Sequence, residues 1–175
     1  AMSSGDQETQ AVRVGHVRPG ATPDLAFVFD GSSPSDVLDR ALFESEPVFR
    51  AAIEECNAAR SANSASSAES ARAASFASHY ALAELWLSWG VRPRLVMGTG
   101  AGAVTAACVA RAISVEDGIA IVTGAAGDRR LTVEEPRFAI VGDAEGRLAT
   151  TSEMAEPGFW RSRPSTLSQA ALEAM

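Results

Sequence analysis

The chain is poor in the residue types that carry most enzyme chemistry. Its 175 residues include two histidines, two cysteines and one tyrosine. His16 and His79 leave little scope for general-base catalysis, in which histidine acts most often. Cys56 and Cys108 each lie inside an apolar helical pattern and lack the spacing of metal ligands. We therefore expect two buried, reduced thiols and no metal site.

Lysine is absent, and acidic residues outnumber basic ones. All 15 basic residues are arginines, scattered along the chain, and 22 acidic residues bring the net charge to -7. Nucleic-acid binding requires a basic stripe, and none is visible. No apolar run approaches the roughly 20 residues that span a bilayer. The N-terminus lacks the basic-then-apolar order of a secretory signal. The sequence thus predicts a soluble, cytoplasmic protein that binds neither nucleic acid nor membrane.

Hydrophobic residues make up 46% of the chain, enough for the core of one ordinary domain. Residues 1–23, rich in Gly, Ser, Gln and Pro, are predicted to form a flexible arm or linker. Residues 24–175 are predicted to form the domain itself. It opens with the continuous apolar run 25–29, typical of a strand in the middle of a parallel sheet, and a second strand is predicted over 138–141. Strands alternating with helices predict an α/β fold, a parallel sheet flanked by helices.

Capping signals place the helices between these strands. Ser33 as N-cap predicts a helix that begins near Pro34, breaks near Pro47 and continues to about residue 59. The Ala/Ser-rich stretch 58–75 is either a flexible linker or, as its composition favours, a loop leading into a surface helix. Ser114 predicts the start of a further helix, which 124–127 ends.

A largely buried helix is predicted over 76–89, with Gly90 as its C-cap. Its aromatic and leucine residues, Trp86 and Trp89 among them, are expected to cover most of its surface. The narrow stripe left over consists of four residues, Ala77, Ala81, Glu84 and Ser88. His79 on this helix is expected to be packed or half-exposed rather than catalytic.

The stretch 94–110, RLVMGTGAGAVTAACVA, organises the whole chain. A short apolar run stops at Gly98, Gly100 and Gly102, and a helical pattern follows to about Ile113. This strand–turn–helix points backbone N–H groups at whatever lies above the sheet. Its spacing fits both a nucleophile elbow, G-x-S-x-G, and a phosphate-binding loop, G-x-G-x-x-G/A. The residues of the stretch alone leave both possibilities open.

Several segments together resemble a known family. They are FVF (27–29) before a glycine turn, LFESEPVFRAAIEEC (42–56), FASHYALAELWLSWGVRP (76–93), AACVARAISVED (106–117) and PGFW (157–160). In this order and spacing they resemble the acyltransferase domain of modular polyketide synthases and, more distantly, malonyl-CoA:acyl-carrier-protein transacylases. The resemblance covers nearly everything from about Arg18 onward. It implies the large subdomain of that fold without the ferredoxin-like small subdomain, because only a short bridge separates Gly127 from Pro136.

The resemblance also implies that the nucleophile is missing. The family's elbow reads G-H-S-x-G, and its serine is acylated from malonyl-CoA or a related thioester. The same five positions here are Gly98, Thr99, Gly100, Ala101 and Gly102, so glycine stands at the serine position. Without an oxygen or sulfur there, the usual covalent intermediate cannot form.

Other family features are altered too. The loop that helps to form the oxyanion hole, P-G-Q-G-S-Q in the family, corresponds here to a turn with Gly31, Ser32 and Ser33. The arginine that holds the extender carboxylate falls near Ala125, several residues before the two arginines that follow, Arg129 and Arg130. The segment with the general-base histidine is absent, and His79 precedes the elbow strand.

The leading hypothesis is a catalytically inactive acyltransferase-like domain without a cofactor, serving a structural or docking role in a polyketide synthase. The resemblance suggests a ketosynthase, a linker or an acyl carrier protein as its partner. One alternative is an enzyme with a displaced nucleophile, for which the candidates are Thr99, Ser32, Ser33 and Cys108. The other is a nucleotide- or CoA-binding module that uses the glycine-rich turn 98–103.

Overall fold

The computed structural model of the chain describes residues 24–30, 36–60, 66–142 and 146–161. The predicted arm 1–23 and the oxyanion-loop equivalents Gly31, Ser32 and Ser33 lie outside the described residues. The predicted cap at Ser33 lies outside them as well.

Three parallel strands form the sheet: β1 (Ala26–Phe29), β2 (Leu95–Gly98) and β3 (Ala139–Ile140). Their order is β1-β2-β3, and β2 pairs with both neighbours. The predicted α/β fold with a parallel sheet is therefore confirmed. The expectation that 25–29 lies in the middle is wrong for the described sheet, because β2 occupies the centre and the Val28 side chain on β1 is 45% exposed.

Seven helices surround this sheet in the described residues. They are α1 (Asp36–Ser45), α2 (Pro47–Arg60), α3 (Ser67–Ser88), α4 (Ala101–Val109), α5 (Val115–Val122), α6 (Thr151–Met154) and α7 (Pro157–Arg161). The predicted break before Pro47 is confirmed, since proline suits the first position of a new helix. Ser114 caps α5 as predicted, its hydroxyl accepting a hydrogen bond of 3.0 Å from the Asp117 N–H.

Helix α3 is longer than the sequence predicts. It is one 22-residue helix that begins in the Ala/Ser-rich stretch, with no boundary at Phe76. Ser66 starts it with a capping box, in which the Ser66 N–H donates to Glu69 Oε2 at 2.6 Å and the Glu69 N–H donates back to the Ser66 hydroxyl. The predicted helix in this stretch is thus confirmed, and residues 61–65, between α2 and α3, lie outside the described residues.

The predicted burial of α3 is partly wrong. Ala77 and Ala81, expected on the uncovered stripe, are buried, whereas Trp86 and Trp89 are 44% and 58% exposed. The reason is that α3 packs against α2 and α4, and small side chains on the contact face let the helix axes approach closely. Position in the helix bundle, rather than hydrophobicity, decides which residues are covered.

The ends of α3 and α4 depend on left-handed residues. The C-cap of α3 is Trp89, one position before the predicted cap Gly90, which follows it with φ +86°. Helix α4 ends at Val109 rather than near Ile113, because Arg111 takes up φ +62° and the chain turns there.

Both cysteines are buried and free, as predicted. Burial, reinforced by the neighbouring Glu55 carboxylate, raises the pKa of the Cys56 thiol to about 12. Burial likewise raises the pKa of Cys108, whose thiol donates to the Ser114 carbonyl. Both groups are therefore protonated thiols inside the core near neutral pH.

In the described segments no three or more His, Cys, Asp or Glu side chains cluster as metal ligands would. None of the helices seen there has the length and apolar character that crossing a bilayer demands.

Candidate functional site

The turn between β2 and α4 is a tight strand-to-helix turn with a positive-φ residue at its tip. Gly100 is the N-cap of α4, with φ +50° and ψ -120°. The Thr99 N–H donates to the Phe29 carbonyl at 3.0 Å, and the Gly102 N–H donates to the Thr99 carbonyl at 2.8 Å. These bonds hold the tip of the turn at the carboxyl end of the sheet. A positive φ favours glycine, so Gly100 relieves strain that a serine would carry there.

The two flanking glycines are required by close packing. A Cβ on Gly98 would lie 2.2 Å from the Gly102 carbonyl carbon, and a Cβ on Gly102 would lie 2.1 Å from the Phe29 carbonyl oxygen. A Cβ on Gly100, by contrast, would meet nothing within 4 Å. The turn therefore demands glycine at its flanks but leaves open space at its tip, where an elbow presents its nucleophile.

A cavity of about 470 Å³ lies over this tip. Gly100, Ala101 and Val104 form its floor, and Trp160 on α7 lines it from the far end of the chain. The Trp160 indole N–H donates to the Met154 carbonyl at 2.8 Å, which fixes the position of the ring. The start of α4 and its backbone N–H groups thus border a preformed space.

Three arginines line the cavity, and each is already held. Arg72 Nε donates to the Val122 carbonyl at 3.0 Å. Arg129 pairs with Asp117 at 2.5 Å, and Arg161 pairs with Asp128 at 2.5 Å. Two of these guanidinium groups are paired with carboxylates, and all three can also contact an anionic group on a ligand.

No serine, cysteine, threonine or histidine of the described residues lines this cavity. Thr99 is 5% exposed, and its hydroxyl donates to the Asp30 carbonyl at 3.0 Å. Cys108 is enclosed in the core. His79 lies beside β1, where it lines a different cavity and its ring centroid is 6.4 Å from that of Phe29. Burial lowers the pKa of His79, and its half-buried position agrees with the prediction.

The sequence has no arginine at the position that the resemblance implies for the carboxylate-binding residue, near Ala125. Arg129 does line the cavity, although it follows the expected position near Ala125. Arg130 instead pairs with Glu156 at 2.5 Å. Arg72 and Arg161 were missed, because the fold brings them to Gly100 from α3 and α7 and no local motif marks either one.

Comparison with known proteins identifies relatives of this chain. No family profile matches it. Polyketide synthase GfsE of Streptomyces halstedii is 34% identical over 142 residues, which cover 70% of this chain and 4% of that protein. Erythronolide synthase EryA3 of Saccharopolyspora erythraea is 33% identical over 150 residues, which cover 70% of this chain and 5% of that one. The chain thus spans only a small part of the length of these multidomain relatives.

Solved acyltransferase domains share its fold. The acyltransferase domain of SpnD superposes with a TM-score of 0.73 at 18% identity, covering 94% of this chain and 65% of that domain. The acyltransferase domain of the second salinomycin synthase module gives a TM-score of 0.67 at 19% identity, covering 80% and 57%. At these identities the match establishes the fold, which is that of the acyltransferase large subdomain.

Proposed function

Since the chain is related to polyketide synthases and has the fold of the large subdomain of their acyltransferase domains, we propose that it is a catalytically inactive acyltransferase-like domain. The observation that carries this proposal is Gly100, which holds the elbow geometry without a side chain to attack a thioester. Acyl transfer through a covalent intermediate requires an oxygen or sulfur nucleophile activated by a base.

The surroundings of Gly100 support the same conclusion. Thr99 is buried and its hydroxyl is already bonded to the Asp30 carbonyl, so it is a poor substitute nucleophile. The high pKa of Cys108 keeps its thiol protonated and unreactive. The described cavity also contains no histidine to act as a general base.

We further propose that the domain serves a structural or docking role toward other polyketide synthase domains, a ketosynthase, a linker or an acyl carrier protein. Large apolar side chains that are exposed on β1 and the end of α3 support this role. They are Leu25, Val28, Trp86 and Trp89, each at least 44% exposed. Aromatic side chains of this kind are enriched at protein–protein interfaces.

A carrier-loading assay tests the inactivity. The chain is incubated with malonyl-CoA and a phosphopantetheinylated carrier protein, and the mass of the carrier protein is then measured by mass spectrometry. We expect no loading above the rate without the chain. Loading that disappears in a Thr99→Val variant would instead identify Thr99 as a displaced nucleophile and overturn the proposal.

A second candidate function is binding of CoA or a related anionic thioester without turnover. The three arginines around the cavity and the start of α4 favour it. Calorimetric titration with CoA tests this candidate, and Arg129→Ala should weaken any binding about tenfold, on the order of 1.4 kcal/mol. Absence of heat with CoA and malonyl-CoA would reject it.

A further inference from the structure

An apolar groove of about 340 Å³ runs along strand β1 and shares no lining residue with the elbow cavity. It is lined by residues 25–29, by Val91 and by four residues of α3, which are His79, Leu82, Ala83 and Trp86. Successive side chains of a strand point to opposite faces of a sheet, so a lining of five consecutive residues indicates the edge of the strand rather than one face. Within the described residues none from β2 lines the groove, which therefore lies on the side of β1 away from β2.

The outer edge of β1 has backbone groups that the described sheet does not pair. In that sheet β1 is hydrogen-bonded to β2 alone. The Phe29 carbonyl accepts from the Thr99 N–H on the β2 side at 3.0 Å. Because backbone groups alternate in direction along a strand, those of Ala26 and Val28 point away from β2. An open edge flanked by apolar side chains is a template for a further strand.

Acidic groups lie at both ends of this edge. Asp24 precedes β1 and pairs with Arg94 at 2.6 Å, and Asp30 follows the strand. Burial lowers the pKa of His79 in the groove, and the carboxylates of Asp30 and Asp39 act against that shift, so both lie near its ring. No arginine is among the described residues that line the groove. A strand that fits this edge therefore carries apolar side chains for the groove and a cation for the acidic end.

The chain itself contains such a segment shortly before β1. Residues 11–17, AVRVGHV, include three valines and one arginine and no acidic residue. Valine favours strands, because its branched side chain packs well on a pleated surface. The residues between this segment and Asp24, RPGATP (18–23), contain a Pro-Gly pair and a second proline, which are typical of a turn. A chain reversal there would lay 11–17 antiparallel to β1 along its open edge, with Arg13 toward Asp30.

We propose that residues 11–17 add a strand to the open edge of β1, antiparallel to it, with valine side chains in the apolar groove. Covalent attachment favours this segment over a second copy or another protein, because a short linker gives an effective concentration on the order of millimolar. The added strand would cover Leu25 and Val28, so a partner domain that docks there has to displace it. That consequence rests on the docking role proposed above, whereas the strand itself does not.

Hydrogen–deuterium exchange of the full chain, followed by mass spectrometry of its peptides, tests the proposal. Amides in 11–17 should exchange at least about tenfold more slowly than in an unstructured chain, because a paired N–H exchanges only when the pairing opens. Exchange of 11–17 at the rate of an unstructured chain would overturn the proposal.

A variant and a matched control localise the protection. Val14→Pro removes an N–H and disrupts the strand, so the outward N–H groups of peptide 24–30 should exchange about tenfold faster. Ser4→Pro, in the arm but outside the segment, should change neither peptide. Unchanged exchange of 95–98 shows that each variant is folded. Protection of the outward groups of 24–30 that survives Val14→Pro would contradict the proposal, and where it increases with protein concentration it would assign the edge to a second copy.

Discussion

At the scale of single residues, the proposed inactivity rests on Gly100 and on the two glycines that flank it in the turn. Three glycines occupy one turn, yet they are there for different reasons. Gly98 and Gly102 are fixed by backbone atoms that leave no room for a Cβ, whereas Gly100 is favoured only by its positive φ. The same substitution should therefore have different consequences at these positions.

The first prediction compares serine at two positions of the turn. Gly100→Ser should lower the free energy of unfolding by about 1–3 kcal/mol, the cost of strained backbone without a clash. Gly102→Ser should cost more or prevent folding, because its Cβ would overlap the Phe29 carbonyl oxygen. Urea unfolding followed by circular dichroism measures both. Equal losses in the two variants would show that the turn is not built as described.

The second prediction concerns the thiols. Because Cys56 and Cys108 are buried and their thiol pKa values are raised, iodoacetamide at about pH 8 should leave both unmodified in the folded chain. Both should react fully once urea unfolds the protein. Mass spectrometry of samples quenched at timed intervals measures the extent of cysteine alkylation. Labelling of the native chain at the rate of the unfolded chain would contradict the described core.

At the scale of helices, the starts of helices could be predicted from local sequence signals, but the burial of side chains on a helix could not. Pro47 and Ser114 mark helix starts through their own backbone and side-chain chemistry, so both were predicted correctly. The exposure of Trp86 and the burial of Ala81 depend on which helices lie beside α3, which no window of sequence contains. The sequence favoured a helix in the Ala/Ser-rich stretch but not its continuity with the helix at 76–89, because an Ala/Ser-rich composition gives no apolar period.

The third prediction tests the start of α3. Ser66→Ala removes the hydroxyl that accepts from the Glu69 N–H and should cost about 1 kcal/mol of stability, within the usual range for N-caps. Ser67→Ala, one residue later on an exposed position of the helix, is the matched control and should change stability by less than about 0.5 kcal/mol. Thermal unfolding compares the two. Similar losses would argue against the capping box.

The fourth prediction tests the corrected burial of α3. Trp89→Gln should change stability by no more than about 0.5 kcal/mol, because this side chain is 58% exposed. Phe76→Ala, at a position that is 1% exposed, should cost about 3–5 kcal/mol. Chemical denaturation measures both variants. A severe loss with Trp89→Gln would show that Trp89 is covered in the folded chain.

For the whole molecule, the sequence supported the fold more fully than the site. The order of strands, helices and glycine turn predicted the α/β class, and the resemblance to polyketide synthase acyltransferases is confirmed by both relatives and solved structures. The arginines around Gly100 could not be predicted together, since Arg72 and Arg161 reach the cavity only through the packing of α3 and α7. The Arg111–Glu84 pair likewise joins residues 27 positions apart.

The proposed inactivity of the domain is tested most directly by measuring the mass of the chain itself. Intact-protein mass spectrometry after prolonged incubation with malonyl-CoA should show the unmodified mass, because Gly100 has no atom to acylate. The same incubation with Gly100→Ser adds a hydroxyl at the tip of the turn but no base to activate it, so this variant should also keep its unmodified mass. An acyl adduct on the unsubstituted chain, at any residue lining the elbow cavity or at Thr99, would contradict the account.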